Sequence, residues 1–303
     1  MYVIGQQLLN GLILGSMYGL IAIGYTMVYG IIGMINFAHG EIYMISAYLF
    51  AIFLALATMF GVFSLPVALV ATLLFTLVIT GLYGFVVERI AYRPLRGSTR
   101  LAPLISAIGM SLVLQNYVQL AQGARDQAIP HLFEGVFRLG SGEDFVQVSH
   151  VQVIIIIITV ISMVALHLLI NHTSLGRACR ATQQDRTMAN LMGINTDRVI
   201  SQVFVIGAAM ASVAGVLITL NFGSFNYFIG FVAGIKAFTA AVLGGIGSLP
   251  GAMLGGIILG LSESLFAGFV NTDYKDVFAF ALLVSVLIFR PTGILGMPEV
   301  EKI

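Results

Sequence analysis

The first 88 residues contain no lysine or arginine, and Glu41 and Glu88 are their only acidic side chains. A soluble domain carries roughly a quarter charged residues. This chain of 303 residues has 9% charged and 59% hydrophobic residues, with a mean hydropathy of +1.01. So few charges cannot cover a water-facing surface, and the chain reads as an integral membrane protein. The expected fold class is all-α, a polytopic membrane helical bundle of about eight to nine spanning or re-entrant helices, two of them interrupted. Residues 1–303 form one transmembrane domain. The start lacks the positive region of a cleavable signal, so the first apolar stretch is expected to stay in the mature protein. The net charge of +1 gives no reason to expect a nucleic-acid partner. Cys179 is the only cysteine, so no disulfide forms within the chain.

Residues 7–29 read as the first span, with Gly11, Gly15 and Gly19 making a flat stripe for close helix packing. Residues 30–59 are long enough to cross but are interrupted at Asn36-Phe37-Ala38-His39-Gly40-Glu41. A charge at depth costs about 3 kcal/mol or more. Two readings follow. One is a broken helix with Glu41 in the first turn of its second half, where the positive helix end favours an anion. The other is a span boundary with this hexapeptide at the water interface. Residues 65–87 cross again, and the arginine-rich stretch Glu88–Arg100 is cytoplasmic by the positive-inside rule. Residues 101–122 cross outward. Residues 123–150 form an outer, periplasmic loop, with Asp126, Glu134, Glu143 and Asp144 against Arg125 and Arg138. Residues 151–170 cross inward and 200–220 outward, the latter with small residues at Gly207, Ala211 and Gly215. From about Val232 to Val270 a short arm containing Lys236 meets a break at Gly244–Gly251. Ser248 is expected to cap the helix that follows, with Pro250 in its first turn. Residues 277–289 make the last span, and Arg290 begins an inner tail. The inner segments then hold Arg89, Arg93, Arg96, Arg100, Arg177, Arg180, Arg186, Arg198, Arg290 and Lys302, against Arg125, Arg138 and Lys275 outside.

Residues 172–198 are a polar cytoplasmic segment between two spans. Helical periodicity runs from about Ala178 to Met192. Ala178, Ala181, Met188, Leu191 and Met192 share a broad face, with Arg180, Gln183, Gln184 and Arg186 largely off it. Gly193 stops the helix. Such a helix lies on lipid headgroups or presents its apolar stripe to a groove on a soluble partner.

No phosphate-binding loop, dinucleotide fingerprint or metal motif occurs. His39, His131, His150, His167 and His172 are scattered, and no nucleophile lies near a base. An enzyme is not expected. Two interrupted helices suit a polar pathway through a bundle, and the helix starting at Ser248 points a positive end at the break, where a carboxylate could bind. An ion-coupled amino acid carrier would want several intramembrane carboxylates, and only Glu41 and Glu263 qualify. A permease driven by a separate ATPase needs instead a cytoplasmic docking helix.

Several long blocks carry a family likeness. They are Tyr25 to Glu41 (YTMVYGIIGMINFAHGE), Glu88-Arg89 with Ala91 to Pro94, and Leu104 to Ser111 (LISAIGMS). Gly176 to Ala181 (GRACRA), Gly193 to Val199 (GINTDRV), Lys236 to Ser248 (KAFTAAVLGGIGS) and Pro291 to Gly296 (PTGILG) complete the set. Nearly end to end, the chain resembles the LivH-type permease subunits of bacterial branched-chain amino acid ABC transporters. The resemblance implies an ABC importer permease fold in the bacterial inner membrane. It implies a LivM-type second permease in a heterodimer, two ATP-binding subunits that bind ATP and Mg, and a periplasmic binding protein delivering leucine, isoleucine or valine. No cofactor is expected in this chain. Gly176 to Asn195 resembles a coupling helix, which makes Gly176, Arg177, Arg180, Ala181, Asp185, Ala189, Leu191 and Gly193 candidates for ATPase contact. Residues 123–150 and 221–232 would face the binding protein. Pathway candidates are Asn36, Phe37, His39, Glu41, Lys236, Phe238, Gly244, Gly245 and Ser248, with Phe37 and Phe238 lining an apolar passage. Urea and short-chain amide permeases share the fold, so the substrate rests on overall likeness.

Overall fold

A computed structural model describes residues 2–61, 64–99, 101–130, 132–133, 135–141 and 144–296. Arg100, His131, Glu134, Glu143 and Lys302, used above, lie outside the described residues. The first helices are α1 (Tyr2–Ile32), α2 (His39–Met59) and α3 (Leu65–Val87). The last turns of the α3 stretch pass through a π turn at Glu88–Tyr92 and a tight turn at Arg93–Leu95. Then come α4 (Leu101–Gln122), the strands β1 (Gln127–Ala128), β2 (Val136–Ser141) and β3 (Asp144–Ser149), and α5 (His150–His172). The cytoplasmic segment holds α6 (Ser174–Gln184) and α7 (Arg186–Leu191). The chain continues through α8 (Thr196–Phe222), β4 (Ser224–Phe225), α9 (Ile229–Gly244), α10 (Leu249–Phe269) and α11 (Lys275–Phe289). Among the described residues seven stretches are long and apolar enough to cross a membrane, and α9, with 16 residues, is a shorter apolar helix. At 1.5 Å per residue α9 spans roughly 24 Å, less than a full crossing.

The α3–α4 connection and the α6–α7 segment gather their arginines at one end, where Arg96 and Arg186 both reach Asp197 at the start of α8. By the positive-inside rule this is the cytoplasmic end. At the other end Gln6 of α1 bonds the Gln147 backbone on β3 in both directions, so the N-terminus of α1 lies outside. Two small antiparallel ribbons cap the outer face, β2 on β3 and β1 on β4. The second ribbon ties the 123–150 loop to the connection after α8, with Asn226 donating to Asp126 at 3.1 Å.

Helix α1 is the centre of the bundle, buried almost continuously from Gly11 to Val28. Its glycine stripe meets α10, which runs antiparallel to it. A Cβ on Gly11 would lie 2.7 Å from Leu261 Cα, and one on Gly15 would lie 2.6 Å from Ile257 Cα. Gly256 and Gly260 of α10 abut Gly19 and Gly15 backbone in return. Lipid tails are as apolar as leucine, so helices in a bilayer associate through such close packing. On α3, Thr72, Thr76, Thr80 and Gly84 form the buried row, while Val70, Leu74, Val78 and Leu82 point outward.

The two expected interruptions fall between separate helices. Gly33, at φ +71°, closes α1 after Ile32, and α2 starts anew at His39. Gly245 and Gly247, at φ +103° and +98°, make the turn from α9 to α10. The span expected over residues 30–59 is therefore α2 alone. The expected single cytoplasmic helix is also two. Asp185 adopts an extended conformation and its carboxylate accepts from the Thr187 and Met188 N–H groups, which ends α6 and caps α7. Ser248 caps α10 through the Gly251 N–H, with Pro250 in the first turn, as expected.

Replacing Gly15 by leucine should drive a side chain into α10 backbone and cost about 1–3 kcal/mol, read as a lowered melting temperature of the purified chain. Gly109→Ala, where a Cβ meets nothing within 4 Å, should leave the melting temperature unchanged or slightly raised.

Candidate functional site

The joint between α1 and α2 is polar yet buried, with Asn36, His39 and Glu41 each 1% exposed. It is thus neither a mid-helix break nor a surface turn. The start of α2 is tucked inside the inner end of α1. Gly24 of α1 makes room for the His39 ring, since a Cβ there would lie 2.6 Å from the imidazole Cε1, and Gly207 of α8 closes the other side. Asn36 Oδ1 accepts from the Tyr92 hydroxyl at 2.9 Å. Glu41 Oε1 accepts from Ser111 Oγ on α4 at 3.1 Å. Among the described residues Glu41 Oε2 and Asn36 Nδ2 have no hydrogen-bond partner.

Helix α9 covers this joint with two glycines. Gly40 packs on Gly230 and Gly234, and a Cβ on Gly230 would lie 2.5 Å from Glu41 Oε2. One turn further, Phe238 approaches Tyr25 and Phe37 with ring centroids 6.4 and 6.2 Å apart, and Tyr25 meets His39 edge-on at 4.9 Å. Carboxylate, amide, imidazole and three aromatic rings therefore share one buried locus, built from α1, α2, α4 and α9. Such a locus presents polar atoms at one edge and an apolar wall at the other. The expectation named Asn36, Phe37, His39, Glu41 and Phe238. It missed Tyr25, Tyr92, Ser111, Gly230 and Gly234, which no local pattern linked to the joint.

Lys236 is not at this locus. It lies on the opposite face of α9, donates to Glu263 of α10 at 2.6 Å and forms an ion pair with Asp276 of α11 at 2.5 Å, with the Tyr18 ring 5.6 Å beneath it. One ammonium and two carboxylates clamp α9, α10 and α11 together. Removing one partner of such a buried pair costs about 3–5 kcal/mol, so Lys236 reads as structural. Gly244 and Gly245 are also packing positions. A Cβ on Gly244 would meet Gly251 backbone, and one on Gly245 would lie 2.6 Å from Gly296 Cα. The tail docks there, with Ile294 and Leu295 N–H groups donating to Leu243 and Gly244 carbonyls at 2.9 Å. Only Ile246 of this turn reaches the joint, beside Tyr25, Ile35 and Phe238.

The cytoplasmic segment is held by an ion network. Asp197 Oδ1 accepts from Arg96 at 2.5 Å and from Arg186 at 2.7 Å, and Arg93 lies 3.6 Å from Oδ2. Arg96 also bonds the fully buried Glu88, which in turn accepts from Ser201 Oγ at 2.7 Å. Burial holds the Arg96 guanidinium below its usual range, and Glu88 and Asp197 offset only part of that. These contacts link the inner ends of α3, α7 and α8. Glu88, Asp197 and Ser201 were not singled out as partners, because they are 109 and four residues apart in sequence.

The expected contact residues divide into two sets. Gly176 fits against Ile170 backbone, Ala189 is buried, Gly193 sits at φ +84°, and Arg180 donates to the Ile170 carbonyl at 2.7 Å, closing the end of α5. Asp185 is the α7 cap, and Ala181 is half-buried. These shape the segment. What faces outward is Arg177 together with Met188, Leu191 and Met192, the last three 59%, 77% and 82% exposed.

A family model described as "Branched-chain amino acid transport system / permease component" matches residues 7–287. The high-affinity branched-chain amino acid transport system permease protein LivH of Escherichia coli is 56% identical over 299 residues, covering 98% of this chain and 97% of that protein. The corresponding permease BraD of Pseudomonas aeruginosa gives the same identity and coverage. The E. coli permease LivM is 28% identical over 311 residues, covering 94% of this chain and 69% of LivM.

Cys179 lies on the inward face of α6 and is 6% exposed, and burial pushes its thiol up to about 11. A raised thiol value keeps the protonated form through neutral and mildly alkaline pH. At pH 8 the thiolate should be about a hundredfold scarcer than in a free cysteine. Maleimide labelling of the folded chain should therefore be at least that much slower than after unfolding in detergent. Equal rates would show that α6 does not pack as described.

Proposed function

This chain belongs to the branched-chain amino acid transport permease family, and from that premise we propose that it conducts leucine, isoleucine and valine across the bacterial inner membrane as one permease of an ABC importer. It is a multi-pass membrane permease, not an enzyme. The observation that carries the substrate is near full-length 56% identity to two permeases named for these amino acids. The ion-coupled carrier reading falls with membership of this family.

A second, homologous permease completes the pathway. The likeness of this chain to both LivH and LivM of one bacterium supports that pairing. Two separate subunits bind ATP and Mg and hydrolyse the nucleotide. One docks on the cytoplasmic segment, where the exposed Met188, Leu191 and Met192 offer an apolar stripe at the tip of α7. A push on α7 passes through Arg186 to Asp197 and through Arg96 to Glu88, so α8 and α3 shift with it. Gly207 of α8 abuts Gly24 and His39, which brings that shift to the buried joint. There Phe37, Tyr25 and Phe238 offer an apolar wall to the substrate side chain, and Asn36 and Glu41 offer polar atoms to its head group. A periplasmic binding protein delivers substrate to the outer ribbon formed by the 123–150 loop and the connection after α8.

The test is ATP hydrolysis by the reconstituted four-subunit complex. Leucine-loaded binding protein should stimulate it several-fold over empty protein. Stimulation by a urea-loaded protein in place of leucine would overturn the substrate while leaving the ATP-driven mechanism.

Leu191→Asp together with Met188→Asp should cut leucine uptake by tenfold or more, since a charge placed in an apolar interface costs about 3 kcal/mol when its partner groove is dry. The permease should remain in the membrane at normal level while co-purification of the ATP-binding subunits falls. Undiminished uptake would mean that α7 only rests on lipid.

A further inference from the structure

A cleft of about 720 Å³ opens at the cytoplasmic end, between the last turn of α3, the start of α6 and the first turns of α8. Neither the joint nor the α7 stripe uses it. Arg89, Arg93 and Arg198 line one end of it, and Phe85, Val205 and Ile206 line the other. The two ends differ in depth. Phe85 is one helical turn deeper into the bundle than Arg89, and Val205 and Ile206 are about two turns, or roughly 11 Å, deeper than Arg198. The cleft therefore crosses the level at which headgroups give way to acyl chains.

Its charge is unbalanced. Glu88 and Asp197 are the carboxylates of this region, and Arg93, Arg96 and Arg186 already satisfy them. Arg89 lies over the Phe85 ring at 5.9 Å, and neither Arg89 nor the exposed Arg198 has an ion pair among the described residues. Ser201 and Gln202 add hydroxyl and amide groups to the lining. Surplus guanidinium at headgroup depth calls for an anion with several acceptor oxygens. The apolar end calls for a hydrocarbon chain attached to it. Free phosphate supplies the first and leaves the second empty.

We propose that this cleft holds an anionic glycerophospholipid of the inner leaflet, its phosphate between Arg89 and Arg198 and an acyl chain along Phe85, Val205 and Ile206. Basic pockets between transmembrane helices on the cytoplasmic side have the charge and depth for such lipids. The site touches Arg93 and Asp197, so the bound lipid braces the network that joins α7 to α3 and α8. This inference does not depend on which solute the protein carries.

The test is native mass spectrometry of the whole transporter complex in detergent, with phosphatidylglycerol or phosphatidylcholine added. The expected result is one phosphatidylglycerol retained per chain under activation that strips phosphatidylcholine. In Arg89→Gln/Arg198→Gln that retention should fall about tenfold or more. Both arginines lie outside the buried ion network, so the double variant should keep its melting temperature. Phe85→Ser, at the apolar end, should also weaken retention and supplies an independent reading. Equal retention of the two lipids, or retention unchanged in the double variant, would overturn the proposal. So would complete displacement by millimolar inorganic phosphate, which would leave an anion site without a lipid. Cross-linking of Gln202→Cys to the second permease, with no lipid retained, would mean that a protein surface fills the cleft.

Discussion

Backbone-to-backbone contact between α1 and α10 is the constraint from which the rest of the bundle follows. Within a bilayer no hydrophobic drive pulls helices together, so association depends on dispersion over short distances and on polar links. Glycines at 11, 15 and 19 face glycines at 256 and 260, and the resulting groove brings the α10 backbone into contact with that of α1. Gly244 and Gly255 bring α9 equally close to α10, where Lys236 reaches Glu263, and Asp276 on α11 completes the clamp. One set of residues without side chains thus positions three further helices.

The same economy of side chains shapes the buried joint. Gly24, Gly207, Gly230 and Gly234 surround His39, Gly40 and Glu41, so polar groups lie in a pocket walled by backbone. Backbone walls do not change rotamer, and they yield mainly when whole helices shift. That property suits the pathway proposed for this joint. At the cytoplasmic end the logic is reversed. There, long charged side chains converge on Asp197 and Glu88 and link helix ends that also pack through Gly84, Tyr92 and Phe204.

Much of the candidate site was legible because charge is rare in this chain. Glu41, His39 and Asn36 stood out as polar residues inside apolar flanks, and the arginines after Val87 and after His172 marked the inner end. Placing the hexapeptide was harder. The same sequence fits a broken helix or an interfacial turn, and the structure has a third arrangement, a joint between two helices folded back into the core. Lys236 stood out for the same reason as Glu41, yet its partners are 27 and 40 residues away on other helices, and only their positions show that it is a clamp. The cytoplasmic helix was legible in its periodicity, while its division at Asp185 depends on a side chain choosing to cap rather than continue.

By itself, the sequence determined that the chain is a helical membrane protein, which end holds the arginines, and which residues are too polar to lie idle in lipid. Those conclusions rest on transfer free energy and on periods of a few residues, which act locally. Tertiary structure alone decided that Ser111 and Gly230 meet Glu41, that Tyr92 meets Asn36 and Tyr25 meets His39, that Asp197 gathers three arginines, and that Met188 and Met192 are exposed while Ala189 turns inward. These depend on contacts between helices far apart in the chain, and glycine, the residue that permits most of them, carries no side chain to announce its partner.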